Sequence, residues 1–174
     1  MRSYEADDAP ALFAAVNASR AHLGQWLEWV SHTTKVEHSL RYIQDAIHNA
    51  KMQQSVSLGI FYDGKIIGGV GMHQWNHVVK KAQIGYWIIK EYEGKGIINE
   101  CLQCFAQFLF EKAGLNKIEI HFSVANSRSG KVAERLGGKI EGVIRQSAMR
   151  NGVPEDVAVA GILKSEWKLT TTID

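Results

Sequence analysis

A strand–helix–strand pattern between residues 82 and 124 constrains the fold of this chain more than any other feature. Ala82 to Ile89 is rich in strand-forming residues, whereas Ile97 to Ala113 repeats apolar residues at helical spacing and stops before Gly114. Lys117 to Val124 alternates apolar and polar residues, as a strand does. Two strands joined through such a helix pair in parallel as a right-handed crossover, so we expect a βαβ unit here.

Strands and helices on either side of this unit predict an α+β, or mixed α/β, fold with a largely antiparallel sheet in one domain spanning residues 1–174. Capping residues, apolar spacing and turn dipeptides mark these elements. They are a first strand at Ser3–Glu5; a helix opened by Asp7, Asp8 and Pro10; a short helical piece with Trp26, Leu27, Trp29 and Val30; a longer helix capped by Thr33 or Thr34; strands at Val56–Tyr62 and Lys65–His73 joined at Asp63–Gly64; a helix at Ser127–Leu136; and two last strands flanking Asn151–Gly152.

Composition narrows the classes of partner. With 174 residues, 45% apolar content and a net charge of +2, the chain suits an ordinary globular core, and it has no basic run that points to nucleic acid. It lacks an apolar stretch of membrane-spanning length and an apolar N-terminal signal, so a cytoplasmic protein is expected. Cys101 and Cys104 are three residues apart, which suits redox chemistry or half a metal site, but their apolar helical setting favours small core residues and no metal.

The turn Gly94-Lys95-Gly96 lies between a predicted strand and a predicted helix. Glycines allow close approach of a ligand to the backbone, and a helix N-terminus offers unpaired N–H groups to phosphates. A P-loop is excluded because Gly96 follows Lys95, and the dinucleotide fingerprint is excluded because Asn99 stands where a third glycine is needed. A plain strand-to-helix turn remains the alternative interpretation.

The surroundings of this turn resemble the GNAT superfamily of N-acetyltransferases, and most closely its RimJ/RimL branch, which acetylates the N-termini of ribosomal proteins. The resemblance runs from about Tyr4 to Trp167. The segments that carry it are Ile84–Ile89, Glu91–Ile97, Asn126-Ser127-Arg128-Ser129, Glu134-Arg135-Leu136-Gly137, Glu141-Gly142-Val143, Asn151-Gly152 and Glu166-Trp167.

This resemblance implies a central, mostly antiparallel and splayed sheet with helices on both faces, and acetyl-CoA as the acetyl donor. It also implies roles for individual residues. Trp87, Ile88 and Ile89 would hold pantetheine; the N–H groups of Gly94, Lys95, Gly96, Ile97 and Ile98 would bind the pyrophosphate; Asn126 would hydrogen-bond the pantetheine arm; Ser129 would protonate the departing thiolate; and Lys131 would contact a CoA phosphate.

The base that accepts the amine's proton is left open by the resemblance. Gln83 and Ala148 stand where relatives carry glutamates. His73, His121, Glu119 or a bound water are the remaining candidates. The acceptor site is expected to involve Trp26 and Trp29, although their helical spacing equally suits a core, together with His73 and Gln83.

Three functions are compatible with these residues. The first is acetylation of a protein N-terminal α-amine, of the ribosomal-protein type, by direct attack of the amine on the thioester. The second is acetylation of a small-molecule amine, and the third is CoA binding without catalysis. A homodimer is a further expectation, because the family often dimerises.

Overall fold

The computed structural model describes residues 1–150 and 152–168, which contain seven strands and six α-helices. Their order alternates between helices and strands, as an α+β or mixed α/β chain requires. The strands are β1 (Arg2–Ser3), β2 (Val56–Tyr62), β3 (Lys65–Asn76), β4 (Lys81–Ile88), β5 (Lys117–Ser123), β6 (Lys139–Arg150) and β7 (Val153–Leu163); the helices are α1 (Ala9–Ala18), α2 (Arg20–Leu23), α3 (Trp29–His32), α4 (Val36–Lys51), α5 (Ile97–Glu111) and α6 (Ser127–Arg135).

The strands form one mixed sheet in the order β1-β2-β3-β4-β5-β7-β6. β4 and β5 pair in parallel, with Lys81 opposite Lys117 and Gln83 opposite Glu119. The pairs β1–β2, β2–β3, β5–β7 and β6–β7 are antiparallel. Two predictions are therefore confirmed. The sheet is mostly antiparallel, and the two strands that precede and follow the long helix α5 pair in parallel.

The chain divides into two compact units, and strands β3 and β4 each run from one unit into the other. The first unit contains residues 1–74 and 85–97, and the second contains residues 75–84 and those from 98 onward. No helix within residues 1–150 and 152–168 has the length and apolar content that crossing a membrane requires.

The first unit is built around a core between its N-terminal helices and the strands β2 and β3. Leu12 and Val16 of α1, Ile43 of α4 and Ile66 of β3 are buried in one cluster with Tyr4. Trp87 is packed against this cluster while remaining partly accessible. The end of β4 is thereby packed against the core of the first unit.

The second unit has a sheet with two different faces. On one face, Ile118 and Ile120 of β5 are buried beside Ile162 and Ala160 of β7. On the other face β5 presents only polar side chains, because strand residues alternate in direction. We call this the polar face of β5, and it consists of Lys117, Glu119, His121 and Ser123.

Several sequence predictions need correction. The first strand is Arg2–Ser3, not Ser3–Glu5. The helix expected to start after Thr33 or Thr34 starts at Val36, with Lys35 at the capping position. Thr33 instead closes α3, because its N–H donates to the carbonyls of Trp29 and Val30.

Another correction concerns the tryptophan segment and the cysteines. Of the predicted helical piece with Trp26, Leu27, Trp29 and Val30, only Trp29 and Val30 lie in a helix, α3, whereas Trp26 lies in the turn between α2 and α3. Cys104 is exposed and Cys101 only partly buried, so the expectation of two core cysteines is wrong for Cys104. Asn151 of the predicted last turn lies outside the described residues, although its neighbour Gly152 has a turn conformation, with φ of 77°.

Candidate functional site

The glycine turn adopts a conformation that its sequence demands. Gly94 and Gly96 have φ of +77° and +80°, a region that L-residues other than glycine rarely occupy. Ile97 begins the 15-residue helix α5, so the first N–H groups of α5 lack partners within the helix. A Cβ built on either glycine would meet no atom within 4 Å. Open space beside unpaired N–H groups and a lysine fits a phosphate-bearing ligand.

Lys95 is held next to an aromatic ring in the first unit. Its Nζ lies 4.8 Å from the centroid of Tyr92, at the distance of a cation–π contact. Tyr92 in turn contacts the ring of Tyr62, with 5.5 Å between centroids. These contacts limit the directions in which the Lys95 charge can point, and they keep it beside the turn.

The end of β4 meets β3 along two glycines. A Cβ at Gly68 would lie 2.5 Å from the carbonyl oxygen of Trp87, and one at Gly69 would lie 2.6 Å from its indole Nε1. The N–H of Ile89 donates to the carbonyl of Ile67 over 2.8 Å. Because backbone groups of successive strand residues point to opposite edges, those of Ile88 point away from β3.

The tryptophans expected at the acceptor site lie on the surface of the first unit. Trp26 and Trp29 are 36% and 41% exposed, which rules out the alternative that both are simple core residues. Trp29 contacts Trp87 edge to face, with 6.1 Å between ring centroids. His73 lies on the neighbouring strand, where its Cε1 would be 3.6 Å from a Cβ on Gly85. The structure therefore brings Trp29 to the strand predicted to bind pantetheine.

In the second unit, Asn126 and Ser129 form the cap of α6. Asn126 Oδ1 accepts a hydrogen bond of 3.1 Å from the backbone N–H of Ser129. The cap is made by the carbonyl oxygen of the Asn126 amide and the backbone N–H of Ser129, not by the Asn126 NH₂ or the Ser129 hydroxyl. Lys131 of α6 is exposed and lies two residues after Ser129. Ile98 is the second residue of α5.

A charged cluster surrounds Glu119 on the polar face of β5. The side chain of Glu119 is only 7% exposed, and its Oε1 lies 2.9 Å from Lys81 Nζ and 3.1 Å from Lys117 Nζ. Its Oε2 lies 3.2 Å from His121 Nε2. Burial acts to raise the pKa of Glu119, but hydrogen bonds from Lys81, Lys117 and His121 outweigh it and lower the pKa to about 2.

Two further side chains complete this cluster. Gln83 Nε2 lies 3.1 Å from His121 Nδ1, so the predicted acceptor-site residue and the candidate base are in contact across β4 and β5. Lys117 also binds Glu141 of β6. Burial opposes ionisation of Lys117, yet its hydrogen bonds to Glu141 and Glu119 raise its pKa.

The sequence missed this cluster as a unit, although it contained a signal for it. Lys117, Glu119 and His121 recur at every second position of a strand, so they share one face. The contributions of Lys81 and Gln83 depend on the register of β4 against β5, which no local pattern specifies. Within residues 1–150 and 152–168, no group of three or more His, Cys, Asp or Glu side chains is arranged to hold a metal ion.

Residues 1–139, which include the glycine turn, β4, β5 and the capped helix α6, match the acetyltransferase (GNAT) domain family. The chain belongs to this family. The expected enzyme class, an N-acetyltransferase, is thereby confirmed.

Individual relatives of this GNAT acetyltransferase point to related chemistry. YdaF of Bacillus subtilis (strain 168), named as a candidate ribosomal N-acetyltransferase, is 33% identical over 172 residues, covering 97% of this chain and 92% of YdaF. The solved structure of RimL, a ribosomal L7/L12 alpha-N-protein acetyltransferase in complex with coenzyme A, is 26% identical with a TM-score of 0.90, covering 93% of this chain and 92% of that one.

A third relative is named for a role other than ribosomal acetylation. The solved structure of the microcin C7 self-immunity acetyltransferase MccE, in complex with acetyl-CoA and AMP, is 25% identical to this chain with a TM-score of 0.88. The similarity covers 92% of this chain and 89% of MccE. The same GNAT fold is thus shared by relatives named for ribosomal N-acetylation and for microcin C7 self-immunity.

Proposed function

We propose that this acetyltransferase transfers the acetyl group of acetyl-CoA to the α-amine of a protein N-terminus, of the ribosomal-protein type, by direct attack of the amine on the thioester. The observation that carries this proposal is the nearly full-length similarity to YdaF and RimL, whose names give ribosomal N-acetylation. The features described above support it in four respects: the donor, the leaving group, the amine and the acceptor site.

The donor would be held by groups from both ends of the β4–α5 segment and by α6. In the first unit, the backbone of Ile88 supports pantetheine binding because it points away from β3, with Trp87 and Ile89 on either side. The N–H groups from Gly94 to Ile98 and the charge of Lys95 suit the pyrophosphate. In the second unit, the amide NH₂ of Asn126 would contact the pantetheine arm, and the exposed ammonium of Lys131 would contact a phosphate.

Ser129 would act as the general acid for the leaving thiolate. Its hydroxyl is the right kind of group, because a serine side chain both donates and accepts a hydrogen bond. Its backbone N–H is fixed by Asn126, which holds the residue at the first turn of α6. A partly buried hydroxyl on a rigid helix end is well placed to deliver a proton reproducibly.

An α-amine suits this site better than a lysine side chain does. The attacking amine must be neutral, and an α-amine has a pKa near 8, whereas a lysine has one near 10.4. Neutralisation at pH 7 therefore costs about 1.4 kcal/mol for the α-amine and about 4.6 kcal/mol for lysine, at roughly 1.36 kcal/mol per pH unit. The carboxylate of Glu119 is bound by two lysines, so this group has little base strength to meet the larger cost of a lysine.

The acceptor peptide would be received by the exposed aromatic side chains of the first unit. Trp26 and Trp29 offer apolar area, and His73 on β3 offers a polar contact. In the second unit Gln83 would contribute an amide. A tryptophan held edge to face against Trp87 is rigid, so it contacts a ligand at small entropic cost.

A small-molecule amine is the second candidate acceptor, because MccE is named for immunity to microcin C7. The two candidates predict different substrates. We expect acetyl-CoA consumption with peptides that begin like ribosomal proteins, little with N-terminally blocked lysine peptides, and little with polyamines or aminoacyl nucleotides. Consumption with small amines alone, measured as free thiol released, would overturn the proposal in favour of the second candidate.

Two properties of the whole protein are part of the same proposal. A cytoplasmic location agrees with two cysteines that are free thiols, since disulfides are uncommon in reducing compartments. A homodimer agrees with the exposed apolar residues of β6, including Ile140, Val143 and Ile144, on a strand at the end of the sheet.

A further inference from the structure

The histidine on the polar face of β5 is the ionisable group of the Glu119 cluster that is suited to exchange protons. Glu119 is buried and remains ionised because two lysines bind it. Lysines stay protonated at neutral pH, whereas histidine is the side chain that changes charge between pH 5 and 8. His121 is also 25% exposed, so a proton received on its ring can pass to solvent.

The contacts of His121 select one form of its ring. An ionised carboxylate only accepts hydrogen bonds, so His121 Nε2, 3.2 Å from Glu119 Oε2, carries the hydrogen. Nδ1 is then the basic nitrogen with a lone pair. Gln83 Nε2 lies 3.1 Å from Nδ1 and 3.3 Å from Nε2, and an amide can offer either NH₂ or its oxygen, so Gln83 can serve the neutral and the protonated ring. This is the carboxylate–imidazole arrangement that orients a base.

The location of His121 along the chain links this base to the residues of α6. His121 lies on β5 immediately past the parallel pairing of Gln83 with Glu119. Beyond it, β5 leads directly into Asn126 and Ser129. Ligands of sheets with parallel strands bind beyond the carboxyl ends of those strands, and His121 lies toward that end of β5.

We propose that His121, oriented by Glu119 and Gln83, is the group that takes the proton from the acceptor amine through a bound water. This inference rests on the proposed function. The acceptor ammonium loses one proton to Nδ1, and its nitrogen then forms the C–N bond while the C–S bond of the thioester breaks. The second amine proton ends on the thiolate sulfur, and the imidazolium returns its proton to solvent. One proton is released in each turnover, so charges and atoms balance.

Every charged group described near His121 bears on this pH dependence. Glu119 is the charged group in contact with His121, and Lys81 and Lys117 bind the same carboxylate. Glu141 offsets Lys117 from β6. On the same face, Glu155 accepts hydrogen bonds from Ser123 and Arg150. His121 thus has a carboxylate as its one charged contact among these groups.

The first test compares pH profiles of kcat/KM for the wild type and His121→Gln. With His121 present, the bound ammonium is deprotonated by the enzyme, so the rate levels off above neutral pH. In His121→Gln only amine that is already neutral reacts, so the rate keeps rising toward the pKa of the amine, near 8. We expect a deficit of at least about tenfold at pH 7 that narrows toward pH 9. An absent deficit, or one equal at all pH values, would overturn the proposal.

Controls separate this role from folding and donor binding. His48→Gln, on the exposed surface of α4, should leave the profile unchanged. CoA affinity of His121→Gln, measured by calorimetry, should stay within about twofold of wild type, because the proposal gives His121 no contact with CoA. If the wild type acetylates only small amines, the proposal of a protein substrate is wrong. The same pH comparison, made with the small amine, still tests the role of His121.

A second readout needs neither turnover nor substrate. Nitrogen-15 NMR of the histidine rings should find the neutral His121 ring with its hydrogen on Nε2. Glu119→Gln should abolish this preference, because an amide both donates and accepts. A wild-type ring with its hydrogen on Nδ1 would contradict the proposal, even if the variants were inactive.

Discussion

Individual side chains near the start of α6 combine structural and chemical tasks. Asn126 caps the helix through Oδ1, and capping by asparagine contributes about 1 kcal/mol. Its amide NH₂ is the part proposed to meet the cofactor. In Ser129 the two tasks fall on different groups. The cap uses its backbone N–H, and the proposed chemistry uses its hydroxyl. Residues of this kind are informative, since one substitution can remove one task alone.

Replacing Ser129 with alanine isolates the proposed general acid. The backbone N–H remains, so α6 should stay capped and CoA affinity should hardly change. Without the hydroxyl, the thiolate must leave unassisted, and we expect kcat to fall by about 10²-fold. Steady-state kinetics with calorimetric CoA titration measures both effects. Ser127→Ala, at the neighbouring exposed position, serves as control; equal kcat in Ser129→Ala and wild type would remove the acid role.

At the scale of elements, the turn before α5 combines a helix terminus with the conformation that its glycines allow. Gly96, with φ of +80°, immediately precedes the first residue of α5, and a Cβ added to it would meet no atom within 4 Å. The hairpin glycine Gly64 has nearly the same backbone, with φ of +75°, and a Cβ added there would likewise meet no atom within 4 Å. The two glycines therefore share the same conformational requirement but occupy different elements.

Matched alanine substitutions at these glycines separate strain from binding. Gly64→Ala and Gly96→Ala should each destabilise the protein by about 1 kcal/mol, because alanine is strained at positive φ. Only the change at Gly96 should reduce the thermal shift given by acetyl-CoA, which adds about 2.7 kcal/mol at 100 times Kd. Gly96→Asp should abolish this shift by adding negative charge. A normal shift in Gly96→Asp would contradict the phosphate assignment.

Elements with strong local signals were predictable from the sequence, and those determined by distant contacts were not. The Asp63–Gly64 hairpin is confirmed because both residues have positive φ, as a primed turn requires. The start of α5 at Ile97 is likewise confirmed. By contrast, Trp26 leaves the predicted helix for a turn, and its periodicity alone does not encode that change. Local chemistry predicted the turn proposed for the donor, whereas the register of β4 against β5 brings the Glu119 cluster together.

Across the whole molecule, the Glu119 cluster ties stability to pH. The pKa of Glu119 falls from its ordinary value of 4.5 to about 2 on folding. Because the folded value is the lower one, the ionised group stabilises the fold above about pH 4.5, and this contribution is lost as pH falls toward 2. The two lysines, the histidine and the carboxylate come from two strands, so the loss would loosen the pairing of β4 with β5.

Glu119→Gln should therefore be destabilised in a pH-dependent way. At pH 7 we expect a loss on the order of 2 kcal/mol in the free energy of unfolding, shrinking toward zero near pH 2. Urea unfolding at a series of pH values between 7 and 2 measures the difference. Asp45→Asn, which changes an exposed carboxylate of α4, should show no such trend. A deficit that is the same at pH 7 and pH 3 would exclude the linkage.

The edge-to-face pair of Trp29 and Trp87 has an optical consequence. Two indoles whose centroids are 6.1 Å apart behave as coupled chromophores, so their ultraviolet circular dichroism and fluorescence depend on their mutual geometry. One of them belongs to the strand proposed for the donor and the other to the segment proposed for the acceptor. Loading of either substrate can thus be followed by spectroscopy without any label, and replacing Trp29 with phenylalanine supplies the blank.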